Sequence, residues 1–185
     1  MAEYYFISQL PCLDALSENA LPPISEERFL ELCHRFLGKK ALFEIENLTL
    51  LPSKNSKKST SSLINAWNDG ERNLRLALAA ARMEKMKKNF EKENGSSSIQ
   101  LAKVVNTAME INNPLEAEKF LNNYRLEFLE TLRPMDNFSE NFIYYYALKL
   151  KLLLHIRRFD AVVGEETYKN FYNSILSEER LVAAQ

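Results

Sequence analysis

The sequence predicts an all-α protein, an elongated helical bundle with two long helices and several shorter ones. Three observations carry this. Apolar side chains recur at spacings of seven, four and three over residues 62–88 and of three and four over 140–163, the period of a helix with one buried face. Glycine and proline are scarce, at 4 and 6 of 185 residues, and Leu, Ala, Glu and Lys are abundant. Helix-start residues stand where the periodic segments begin: Ser25 before Glu26-Glu27, Asn113 before Pro114, and Asp136 to Ser139 before Glu140.

The length suits one domain, or a long-helix domain with a small appendage. A chain of this size buries about 70% of its unfolded surface, so a core forms without disulfides or metals. With 46% hydrophobic and 26% charged residues the composition is that of an ordinary soluble protein. We divide it into an N-terminal segment with short helices (1–51), a basic polar linker (52–62) and a main helical bundle (63–185).

Residues 3–10 are aromatic and partly alternating, which fits a short strand or the first turns of a packed helix; Pro11 ends them. Residues 19–25 (NALPPIS) form a turn, because paired prolines remove backbone donors and disfavour helix before them. Ser25 then caps a helix with Phe29, Leu32, Cys33, Phe36 and Leu37 on its apolar stripe, closed by Gly38. A weaker helix over 41–51 uses Leu42, Phe43, Ile45 and Leu48. Residues 52–62 (PSKNSKKSTSS) are polar, basic and exposed.

The segment 62–88 organises the chain. Trp67, Leu74, Leu78 and Ala81 share one helix face, and Ala77 to Ala81 leave room for a long partner helix. Glu71 and Arg75 stand in the favourable i,i+4 order of an exposed pair, worth about 0.2–0.5 kcal/mol. Gly70 is discordant in a helix interior and marks either a bend or a close contact. After a second polar stretch, 93–98, Ser97 and Gln100 have capping-box spacing for a helix over 99–111. Asn113-Pro114-Leu115-Glu116 opens the next helix, with Ala117, Leu121, Tyr124, Phe128 and Leu132 on its stripe, and Arg133-Pro134 stops it. The last long helix, 140–163, repeats Phe142, Tyr145, Leu148, Leu152, Ile156, Phe159 and Val163; Gly164 ends or kinks it, and 165–184 continues as one or two short helices.

Catalysis is not expected. His34 and His155 read as packed or surface histidines, and there is no HExxH, EF-hand loop or paired Glu-x-x-His. The adjacent carboxylates Glu26-Glu27, Glu165-Glu166 and Glu178-Glu179 diverge on a helix and so do not form an acid–base pair. Gly38-Lys39-Lys40 lacks the rest of a phosphate-binding loop, so no direct nucleotide binding is expected, and no cofactor or metal. Cys12 and Cys33 have neither CxxC nor zinc spacing and read as free buried thiols in a reducing compartment.

The net charge of −1 hides an asymmetry, with ten Lys/Arg against four Asp/Glu over 54–92. That stretch is the basis of an alternative reading, a basic helical module for nucleic acid or another acidic partner, although a pI near 6.2 is a poor footprint for nucleic acid. Tyr144-Tyr145-Tyr146 point about 100° apart on a helix. At least one should therefore leave the core for an interface, unless the helix is buried on two sides. The start, MAEYYFISQLP, lacks the basic region and cleavage site of a secretory signal, and no apolar run reaches about 18 residues.

Several stretches together carry a resemblance: YYFISQLPCL, PPISEERFLELC, NAWNDGERNLRLALAAAR, NPLEAEKFLNNYRLEFLE and NFIYYYALKLKLLLHIRRFD. In this order, over most of the chain, they resemble an uncharacterised bacterial family associated with V-type (A/V-type) ATPases. Members of that family look like relatives of the C-type, or d, socket subunit. The family's W-N-x-x-E-R-N-L-R pattern falls on Trp67, Asn68, Glu71, Arg72, Asn73, Leu74 and Arg75. Its N-P-L-E-A-E falls on Asn113 to Glu118, and Y-A-L-K-L on Tyr146 to Leu150. The resemblance implies a C/d-subunit-like helical fold and a noncatalytic adapter between the central stalk and the membrane rotor ring. Such a protein supports ion transport and is cytoplasmic, peripheral to the cytoplasmic membrane and attached to it only through other V-type ATPase subunits. Trp67, Arg72, Arg75, Tyr144, Tyr145 and Tyr146 are the candidate partner-binding residues.

Overall fold

A computed structural model describes residues 2–14, 21–52, 58–86, 99–158 and 161–182, without side chains at 2–3, 161–163 and 176–182. The described residues form eight helices and no strand: α1 Ala2–Gln9, α2 Glu26–Phe36, α3 Lys39–Glu46, α4 Ser62–Lys85, α5 Ile99–Glu110, α6 Pro114–Thr131, α7 Glu140–Arg157 and α8 Ala161–Val182. The protein is all-α.

Local chemistry sets most helix starts. The Ser25 hydroxyl accepts from the Arg28 N–H at 3.2 Å, with Glu26 and Glu27 at the positive end of the helix dipole. Asn113 Oδ1 accepts from the Leu115 N–H at 3.0 Å, and Pro114 takes the first turn, where its missing donor has no consequence. Ser139 accepts from the Phe142 N–H at 3.3 Å. Ser97 lies outside the described residues, so its capping box is not in view.

The structure resolves the two alternatives at the N-terminus in favour of helix. On α1, Phe6 and Ile7 turn inward, while Tyr4 and Tyr5 stay exposed against Phe138 and Phe36. Gly38 does not close α2. Leu37 is its C-cap, and Gly38, at φ −72°, is the N-cap of α3, which therefore starts two residues early and stops at Glu46 rather than 51. Cys33 is buried as expected, but Cys12 is exposed.

Helix α7 is the hub. Every residue from Ile143 to Leu150 is buried, because α3, α4 and α6 pack against this helix and the N-terminal segment covers the remaining side. Tyr144, Tyr145 and Tyr146 are all buried, so none of the three leaves the core. Burial around the full circumference removes the geometric argument for an outward tyrosine, and hydroxyl partners make it tolerable. Tyr144 donates to Glu140 (2.5 Å), Tyr145 to Glu130 (2.7 Å) and Tyr146 to the Pro11 carbonyl (2.8 Å). Tyr146→Phe is expected to lose about 0.5–1.5 kcal/mol in urea denaturation at unchanged m-value, the worth of one such bond. A loss below a few tenths would mean water replaces the hydroxyl.

Two hydrophobic clusters result. The larger joins Phe6, Phe29, Ile45, Trp67, Leu129 and the buried face of α7. The smaller joins Leu74 and Leu78 of α4 to Leu101, Val105 and Ala108 of α5 and Leu121 of α6. Helix α4 spans both. Its alanine-rich face does receive a neighbour, Ala77 and Ala81 packing in the smaller cluster, but that neighbour is the 12-residue α5 rather than a long helix.

The last helix of the sequence reading divides. Helix α7 ends at Arg157, and a separate 22-residue helix, α8, passes through Gly164 without ending there. Spacing alone hides the break because apolar residues continue at threes and fours across it. Their phase holds through Phe159 and Val163 and shifts only beyond them. Counting 100° per residue, the stripe of Tyr168, Phe171, Tyr172 and Ile175 lies roughly 150° round the helix from that of Tyr145, Leu148, Leu152 and Ile156, so one straight helix could not bury both on one core.

Candidate functional site

On α4, Glu71 follows Trp67 by four residues and precedes Leu74 by three, which places a carboxylate inside the buried stripe. On α6, Glu118, Asn122 and Arg125 lie at i, i+4 and i+7, one polar line on one face. The two helices bring these lines together at the seam between the two hydrophobic clusters. Arg125 Nε donates to Glu71 Oε2 at 3.1 Å and Nη2 to Oε1 at 3.3 Å. Its Nη1 donates to Glu118 Oε1 at 3.1 Å and Asn122 Oδ1 at 2.8 Å. Arg75 Nε adds a third bond to Glu71, at 3.0 Å. The Glu71 side chain is 2% exposed and that of Arg125 14%. A carboxylate so buried is tolerable only with its charge matched and its lone pairs filled, and here both conditions are met. The Glu71–Arg75 pair forms as the spacing predicts, but in the interior rather than on an exposed face.

Beside this node lies a cleft of about 650 Å³ with an apolar wall of Leu48, Leu50, Leu152 and Leu154 and a polar wall of Glu71, Glu118, Arg125, Lys151, His155 and Arg158. Lys151 pairs with Glu26 at 2.8 Å across it. Trp67 also lines the cleft and is stacked on Phe128 with ring centroids 6.1 Å apart. Its indole N–H is buried with no hydrogen-bond partner among the described residues. Loss of solvation holds the His155 imidazole below its ordinary value of 6.5, a tendency that Glu118 and Glu71 oppose and that Arg125 and Arg158 reinforce. The folded state thus prefers neutral His155. Its contribution to stability is complete above pH 6.5 and is lost as pH falls below that value through the depressed folded-state one. Wild-type thermal stability should accordingly drop on acidification from roughly pH 7.5 to 5.5, and His155→Asn should flatten that drop; parallel curves would place the sensitivity elsewhere.

A second charged cluster fastens the N-terminal segment. Lys149, on the buried circumference of α7, donates to Asp14 at 2.5 Å, Glu130 at 2.6 Å and the Tyr145 hydroxyl at 3.2 Å. Burial disfavours its charge, but these partners more than offset the penalty, and Lys149 remains protonated. The Lys149 hydrogen bond in turn draws the Asp14 carboxyl below its ordinary value. Burial and the Glu130 bond push the Tyr145 phenol up to about 12, so it stays a neutral donor. Among the described residues no cluster of three or more His, Cys, Asp or Glu is arranged for a metal.

The residues expected to bind a partner do not assemble into one surface. Trp67 and the three tyrosines lie in the larger core, Arg75 belongs to the ion-pair node, and Arg72 is exposed away from it. Sequence reasoning missed Glu118, Asn122, Arg125, Lys149 and Lys151. One signal was available: Glu71 sits in an apolar stripe, where an acid is anomalous unless a cation meets it. Comparison of the chain with protein-family models, curated proteins and solved structures finds no match.

Proposed function

We propose that this chain is a noncatalytic subunit or accessory factor of a bacterial V-type ATPase, an adapter between the central stalk and the membrane rotor ring that supports ion transport. The observation that supports this reading is the convergence of the stretches carrying the resemblance. Glu71 and Arg75 of the W-N-x-x-E-R-N-L-R stretch meet Glu118 of N-P-L-E-A-E, and Arg125 about two turns further on, in one buried node. The Y-A-L-K-L stretch supplies Lys149 to the second cluster. In this reading these residues cross-brace the helices. An element that passes torque must resist shear, and charged pairs fixed in a buried environment resist sliding because moving either partner strands a charge. No described helix is long and apolar enough to cross a membrane, and attachment to the ring is through protein partners.

The test is affinity purification of the tagged chain from gently solubilised membranes, with identification of the chains that accompany it. Stalk and ring subunits together support the adapter, and stalk subunits without the ring support an accessory factor. Neither, with the chain wholly in the soluble fraction, removes the reading.

A further inference from the structure

We infer that α8 is a docking helix that lays its aromatic face into an apolar groove with a basic rim on a partner protein. Tyr168, Phe171, Tyr172 and Ile175 are 68%, 66%, 52% and 56% exposed, the densest group of exposed large apolar side chains among the described residues. They stand at i, i+3, i+4 and i+7, the anchor spacing by which an amphipathic helix fills a groove. The Tyr168 and Tyr172 rings stack with centroids 6.1 Å apart and so present one pre-ordered surface. The opposite face is polar: Glu166, Thr167, Asn170 and Asn173 are exposed, and Lys169 is engaged by Glu165 at 2.7 Å.

The same surface discriminates among occupants. At about 200 Å² per aromatic side chain, the stripe offers roughly 450 Å², so two copies face to face would hide about 900 Å², short of the 1,200 Å² at which stable interfaces begin. A membrane surface is disfavoured by sign. Four glutamates against Lys169 and Arg180 give this helix an acidic balance, whereas interfacial helices that bind anionic lipid are basic. A groove with basic residues at its edges matches both the apolar stripe and its acidic flanks, and it covers more of the helix than a second stripe does. That the groove belongs to a stalk or ring subunit rests on the function proposed above; that α8 docks in a protein groove rests on α8 alone.

The experiment is site-specific photo-crosslinking in cells with the full chain, comparing Tyr172→p-benzoylphenylalanine with Asn170→p-benzoylphenylalanine on the opposite face. It is followed by binding of the purified wild type and Phe171→Glu to the purified crosslinked subunit. The expected result is an adduct with a stalk or ring subunit at 172 and not at 170, with affinity weakened at least tenfold by Phe171→Glu and helix content unchanged. An adduct with a different protein, with the same tenfold loss, sustains the docking helix and overturns the ATPase reading. An adduct of twice the chain's mass, a lipid adduct, equal crosslinking from both positions, no adduct, or unchanged affinity of Phe171→Glu each overturns the inference.

Discussion

Arg125→Ala is expected to cost about 3–5 kcal/mol in equilibrium denaturation, the range for removing one partner of a buried ion pair. The lost attraction is the smaller part of that effect. Glu71, 2% exposed, would lose two of its three hydrogen bonds, and Asn122, also buried, would lose its donor. Arg75 would still hold Glu71 Oε1, which sets the effect toward the lower end of the range. Replacing both charges with apolar residues, in Glu71→Leu/Arg125→Met, should cost much less than the two single substitutions added together, because no buried charge is then stranded. Arg75 and Glu118 can turn to water in that double variant, being 38% and 31% exposed at the side chain. A single-variant loss under about 1 kcal/mol would mean the node is hydrated and is not the brace described.

Gly70→Ala is expected to destabilise by about 1–3 kcal/mol, opposite in sign to what helix propensity predicts. In a solvent-facing helix interior the change would gain about 1 kcal/mol, since glycine is a poor helix former. Here a Cβ at position 70 would fall well inside van der Waals contact with Cε1 and Cζ of the Phe128 ring. That ring is stacked on Trp67, itself 1% exposed, so displacing it disturbs a core contact. Of the two readings the sequence left open for Gly70, a bend or a close approach, the structure selects the close approach. Phe128→Leu offers the control. In that background Gly70→Ala should approach neutral or become stabilising, as thermal denaturation of the four variants would register. A stabilising Gly70→Ala in the wild-type background would mean that the Phe128 ring moves aside at little cost.

The contrast between what was legible and what was not follows the range of the forces involved. The all-α class, the caps at Ser25, Asn113 and Ser139, and the stops before Pro11 and Pro134 depend on neighbours within about one helical turn, so the sequence contains all the information needed. Periodicity likewise identified Trp67, Leu74 and Leu78 as an inward face. It failed where a residue's environment comes from another part of the chain. The three tyrosines are buried because helices and the N-terminal segment surround α7 on every side, a property of its neighbours that its own pattern does not record. The residues of the ion-pair node are ordinary surface types. Glu71 and Arg125 are 54 positions apart, and only the packing of α4 on α6 turns them from solvated charges into a buried pair. The sequence by itself determined the helices, most of their ends and which side of α4 faces inward, because those follow from hydrogen bonds and apolar spacing within each segment. Tertiary structure alone decided which charges are buried and which aromatic residues lack a core, because desolvation is set by whatever the folded chain places alongside.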